Sequence, residues 1–168
     1  DGVFFFNDSK GTNVNSVRKS LESFTANPII LIAGGKDKNM DYTPLAELVR
    51  KKCKLLILLG EAKEKINRAI GDYAETYLVG TFEEAVLLAY QKSRSGDIIL
   101  LSPGASSFDM FRNYEERGDY FKKLVNQGMI LGEVEHTVYV AGDGTFVSKH
   151  HVGEKLDDAG EEKPFDTR

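Results

Sequence analysis

The chain has 168 residues, 22 basic and 26 acidic side chains, and a net charge of -4. That size suits one ordinary domain with an appendage, and 41% hydrophobic against 29% charged residues leaves enough apolar mass for a core. The acidic balance gives nucleic-acid binding no electrostatic support, no apolar run approaches the roughly 20 residues that cross a bilayer, and the basic and apolar regions of a signal peptide are missing.

In chain order, short apolar runs alternate with helical patterns. The runs are Val3 to Phe6, Ile29 to Ala33, Leu55 to Leu59, a weaker Tyr77 to Val79, and Ile98 to Leu101. Unbroken runs of this length are what strands covered on both faces require. Val14, Val17, Leu21 and Phe24 carry a helical spacing after the first run. Thr43-Pro44 reads as an N-cap with proline at the first helical position, ahead of Leu45, Leu48 and Val49. Thr81-Phe82-Glu83-Glu84 reads as a capping box opening a helix with Ala85, Leu88 and Ala89. The expected fold is a three-layer α/β domain, a mostly parallel sheet with helices on both faces. A last helix is expected from about Glu115 to Gln127, stopped by Gly128. Beyond it, residues 136–140 and 145–148 flank Ala141-Gly142-Asp143-Gly144 as a β-hairpin extension. From Gly153 the composition is acidic and polar, which predicts a disordered tail.

Cys53 is the only cysteine, a pattern that fits a reducing cytoplasm, and its apolar neighbours read as structural. The first residues already read as a strand and begin with Asp1, so the chain is expected to be a piece of something longer. The histidines, His136, His150 and His151, lie in or beside the hairpin. No carboxylate or cysteine pattern supports a metal site there, and none is expected.

Three polar segments fall at strand ends. The first holds Asp8, Lys10 and Thr12; the second is Gly34-Gly35-Lys36-Asp37-Lys38-Asn39; the third is Ser102-Pro103-Gly104-Ala105-Ser106-Ser107. In a parallel sheet these ends share one edge, where open α/β folds bind ligands. Lys10, Lys38, Thr12, Ser107 and helix-start amides together suit an anion. Plainer roles are open to the same residues: Thr12 or Asn13 as a helix cap, Lys36 and Lys38 as surface charge. Ser106, with Asp109 three residues on, matches a capping box and is read as a cap. No phosphate loop, dinucleotide fingerprint or nucleophile elbow is present.

These segments, in this order and spacing, resemble the C-terminal domain of the Mur ligases. They are residues 7–13, then Gly34-Gly35-Lys36-Asp37-Lys38 with Asp41-Tyr42-Thr43-Pro44-Leu45, then residues 101–111 continuing through Asn113-Tyr114-Glu115-Glu116-Arg117-Gly118. The resemblance covers roughly residues 1 to 128 and is strongest to the members that add D-glutamate. It implies a Rossmann-like domain that brings the incoming amino acid to an ATP-dependent ligase of peptidoglycan precursor synthesis, working through an acyl phosphate in the cytoplasm. It implies that Lys38, Thr12 and Ser107 hold the D-glutamate carboxylates, with Phe108 and Tyr114 lining the pocket. Asp8 and Lys10 would face the nucleotide or the reacting phosphate. ATP and Mg would belong to the full-length enzyme and its other two domains, and neither is expected on this fragment, which alone should not ligate. Residues 129–152, the hairpin extension, and 153–168, the tail, match nothing in that family. The other reading open at this point is a non-catalytic scaffold carrying the hairpin, which could pair with a sheet edge of its own molecule or of a second copy.

Overall fold

The computed structural model describes residues 2–126 and the backbone of two short strands, 139–140 and 146–147. In chain order the elements are β1 (Phe4–Asn7), α1 (Val14–Ser23), β2 (Ile29–Gly34), α2 (Ala46–Lys52), β3 (Cys53–Leu59), α3 (Lys63–Ile70), β4 (Glu75–Leu78), α4 (Phe82–Lys92), β5 (Ile98–Leu101), α5 (Tyr114–Asn126), β6 (Tyr139–Val140) and β7 (Phe146–Val147). The sheet runs β4-β3-β2-β5-β1-β7-β6. Its first five strands are parallel, and β7 and β6 are added antiparallel beyond β1.

The apolar runs are unbroken because both faces of the sheet are covered. Odd and even residues point to opposite layers. Ile30, Ile32, Leu55, Ile57, Ile99 and Leu101 pack with Phe82, Val86, Phe121 and Leu124 of α4 and α5. Ile29, Leu31, Leu56, Leu58, Ile98 and Leu100 pack with Val17, Leu21, Val49 and Ile66 of α1, α2 and α3. Every residue of β2 is buried. β4 closes one end of the sheet and is covered less, which is why its apolar signal in the sequence is weak.

The Thr81 capping box forms as expected: Glu84 N–H donates to Thr81 Oγ1 at 3.1 Å and Thr81 N–H to Glu84 Oε2 at 3.1 Å. Thr43, by contrast, does not cap. It opens a single 3-10 turn, Thr43–Leu45, and its hydroxyl donates to Asp41 Oδ1 at 2.7 Å. The Asp41 carboxylate outcompetes the helix for that side chain. α5 starts at Tyr114, one residue before the expected position, because Asn113 Oδ1 accepts the Glu116 N–H at 2.7 Å. Of the expected hairpin, 139–140 and 146–147 form antiparallel strands, with Phe146 opposite Phe5. Gly128, the three histidines and the acidic tail lie outside the described residues.

The topology opens a crevice at one end of the sheet. β5 lies between β2 and β1. The chain leaves β1 and β2 toward helices on one face, but leaves β5 toward α5 on the other. Loops that part in this way frame the ligand-binding edge of open α/β sheets.

Candidate functional site

The three strand-end loops are stitched into one surface. Asp8 N–H donates to Leu101 O, Gly104 N–H to Gly11 O and Gly34 N–H to Pro103 O, each at 2.8 Å. Lys36 N–H donates to Ser106 O, also at 2.8 Å. Gly34 and Gly35 make this approach possible. Both have positive φ (124° and 137°), and a Cβ would lie 1.9 Å from Leu59 O at the first and 2.2 Å from Ser106 O at the second. No other residue fits there.

The sequence-derived site residues divide by how much of their bonding capacity the fold uses. The Asp8 carboxylate is engaged: Oδ2 accepts from Ser20 Oγ at 2.5 Å and Ser102 Oγ at 2.8 Å. Asn13 supplies the α1 cap, accepting the Ser16 N–H at 2.9 Å, so Thr12 is released from that role. Lys10 and Lys38 are exposed, and neither ammonium has a hydrogen-bond or ion-pair partner among the described residues. The hydroxyls of Thr12 and buried Ser107 are likewise unused. Phe108 is 69% exposed, an unusual position for a benzyl group in a folded domain. Tyr114 is half-buried at the start of α5, and its carbonyl accepts the Ser9 hydroxyl at 2.7 Å. These residues occupy an open edge. They do not line the shallow depression of about 260 Å³ between Asn39–Tyr42, Lys65 and Ala69.

Ser106 is not a cap. Its hydroxyl is buried without a hydrogen-bond partner, and the segment after it makes a single turn around Ser107 O, which accepts from Met110 N–H and Phe111 N–H. Asp109 instead turns to the loop after β3, where Oδ2 accepts the Glu61 N–H at 3.1 Å.

Beneath the surface lies Arg117, 1% exposed. Its guanidinium donates to Ser9 Oγ at 3.0 Å, Ser9 O at 2.8 Å and Ala105 O at 3.3 Å, joining the loops after β1 and β5. Among the described residues, no carboxylate reaches hydrogen-bond distance of it. Burial pulls its pKa down to about 10, a fall moderated by the Asp109 and Asp8 carboxylates, so it remains a cation at neutral pH. Arg117, Phe121, Leu124 and Val125 share one helical stripe, so the sequence does hold a signal for it: an arginine on a core-facing position.

Residues 1–104 match the family profile described as the Mur ligase, glutamate ligase domain. The chain belongs to the Mur ligase family. It is 64% identical over 126 residues to a UDP-N-acetylmuramoylalanine–D-glutamate ligase of Bdellovibrio bacteriovorus, covering 75% of this chain and 27% of that protein. Proteins of the same name in Geotalea uraniireducens and Aquifex aeolicus are 57% and 49% identical, each over 125 residues and 74% of this chain. The chain thus spans between 27% and 30% of the length of these relatives. Among the described residues of this Mur ligase domain, no helix is long and apolar enough to cross a membrane, and no cluster of three or more potential metal ligands occurs.

Proposed function

We propose that this domain delivers D-glutamate to an ATP-dependent, cytoplasmic ligase that extends UDP-N-acetylmuramoyl-L-alanine in peptidoglycan precursor synthesis. The observation that carries the proposal is the set of unused donors on one stitched surface: Lys10, Lys38, Thr12 and Ser107, with exposed Phe108 beside them. A dicarboxylate amino acid needs cationic and hydroxyl donors, and a lysine supplies a mobile point charge for one carboxylate. In this reading Lys38, Thr12 and Ser107 hold D-glutamate, with Phe108 and Tyr114 as apolar walls. Lys10 faces the phosphates, and Asp8, anchored by Ser20 and Ser102, orients the loop that carries it. ATP and Mg belong to the partner domains. Catalysis then comes from holding the amine against an acyl phosphate while domain closure excludes water. By itself the domain has no acyl phosphate to attack, and no turnover is expected from it alone.

The test is a graft of residues 1–126 in place of the matching quarter of the Bdellovibrio relative. The expected result is ATP-dependent incorporation of D-glutamate, with Lys38→Ala raising the KM for D-glutamate by roughly tenfold or more and leaving that for ATP nearly unchanged. A folded graft that binds its other substrates but cannot ligate, or a Lys38→Ala enzyme with unaltered KM, would overturn the proposal. One observation favours a second reading, a non-catalytic scaffold for the extension: β7 pairs with β1 of the same sheet. An inactive graft would leave that reading standing.

A further inference from the structure

Lys38 has no partner of its own among the described residues, yet its neighbours are tethered on both sides. Before it, Lys36 N–H donates to Ser106 O and the Lys36 ammonium pairs with Glu61 Oε1 at 2.8 Å. After it, Asn39 adopts φ 57°, a left-handed conformation that most non-glycine residues avoid. The turn is closed locally by the Asn39 N–H donating to Asp37 Oδ1 at 2.7 Å. From α3, the Lys65 ammonium reaches Asn39 Oδ1 at 2.8 Å and the two Asp37 carboxylate oxygens at 3.4 and 3.5 Å. Lys65 therefore binds the residues immediately before and after Lys38.

The geometry points to Lys65 as the positioning residue of the amino-acid site: it pins the turn that presents Lys38, and so sets the affinity for the D-glutamate carboxylate. This rests on the reading that Lys38 holds that carboxylate. The Lys65–Asp37 pair is partly exposed, with side chains 28% and 36% accessible, and pairs of this kind add little to global stability. Their effect here is local. A loop left free must be ordered when ligand binds, and that cost is subtracted from affinity. The Lys36–Glu61 pair holds only the near side of the turn, while among the described residues Lys65 alone ties the far side, Asn39, to a helix. α3 is itself fixed in the core by Ile66 and Ile70. A displaced lysine head is costly because functional groups must be held within about 0.5 Å of the productive geometry.

The experiment compares Lys38→Ala, Lys65→Met, Lys65→Arg and Asn39→Gly in the grafted ligase, with NMR order parameters for residues 37–39 in the 168-residue chain. Lys65→Met should raise the KM for D-glutamate about tenfold, with kcat within about twofold and the KM for ATP unchanged. Order at residues 37–39 should fall with it. Lys65→Arg keeps a cation that can reach the same oxygens and should recover most of the affinity. Asn39→Gly accepts the same φ but deletes the amide that Lys65 holds, and should move KM in the same direction by a smaller factor. An altered KM for Lys38→Ala with an unaltered KM for Lys65→Met and Asn39→Gly would overturn this inference alone. An unaltered KM for Lys38→Ala would overturn the function proposed above and this inference with it. A raised KM with the melting temperature of Lys65→Met unchanged would show lost positioning, and a large fall in that melting temperature would overturn the inference by making the KM change one of lost folding.

Discussion

At the N-terminal end of the sheet, charge is paired. Asp97, 4% exposed before β5, takes the Lys54 ammonium and the Arg94 N–H, and Lys52 donates to Phe24 O at 2.5 Å. Among the described residues at the C-terminal end, Lys10 and Lys38 have no partner, and the Arg117 cation is buried against carbonyls and a hydroxyl with no carboxylate in contact. One end spends its polar groups on closing the fold; the other keeps donors in reserve. In the function proposed above, that reserve is what D-glutamate and the phosphates use.

Removing the support beneath the open end should have the largest effect. Arg117→Met deletes three hydrogen bonds and leaves Ser9 O, Ser9 Oγ and Ala105 O buried around an apolar chain. The expected loss is about 3 kcal/mol in urea unfolding, at the upper end for a single substitution. Arg117→Lys should recover only part of this, because a single ammonium cannot span both loops in the planar fork of a guanidinium. A loss below about 1 kcal/mol for Arg117→Met would mean the loops hold themselves.

Breaking the paired end should cost stability without touching the ligand edge. Asp97→Ala orphans the Arg94 N–H and the Lys54 ammonium, and about 2 kcal/mol should be lost in urea unfolding, while the KM for D-glutamate in the grafted ligase stays put. A changed KM would show that the two ends are coupled through β5.

The contrast between the ends also sets what the sequence could reveal. The strands were readable because double burial forces unbroken apolar runs, and the ligand edge because parallel strands bring the Asp8, Gly34 and Ser102 segments together. Lys10, Lys38, Thr12 and Ser107 are proposed from residue type and place, and the fold leaves their side-chain donors unused among the described residues. What escaped were pairings between residues far apart in the chain. Ser106 looked like a cap because Asp109 stands three residues later, but Asp109 is claimed by Glu61 N–H, 48 positions away. Thr43 fails as a cap for a local reason: Asp41, two residues before it, takes its hydroxyl. Lys65 gave no signal, since a lysine on an amphipathic helix is ordinary, and its value lies in what the fold sets opposite it. Arg117 did leave a trace, a charge on an apolar stripe.

Alkaline unfolding offers the finest comparison, because the paired end buries a thiol and the open end a phenol and a guanidinium. At the paired end, burial pushes the Cys53 thiol from 9.0 to about 12. The unfolded thiol ionises first, the folded state holds the extra proton, and stability present below pH 9 is lost as pH rises toward 12. At the open end, Tyr42, whose hydroxyl donates to Gly104 O, behaves the same way between 10.0 and about 12. Arg117 runs the other way: burial pulls its pKa down to about 10, so the unfolded state holds the extra proton there and stability gains with pH. Tyr42 and Arg117 thus pull stability in opposite directions as pH rises above 10, and the Cys53 contribution can be removed on its own. Cys53→Ala should therefore flatten the alkaline decline by up to about 1.4 kcal/mol per pH unit between about pH 9.5 and 11.5, read from urea midpoints at stepped pH. Parallel curves for the two proteins would show that the thiol ionises without cost and that the start of β3 is open to water.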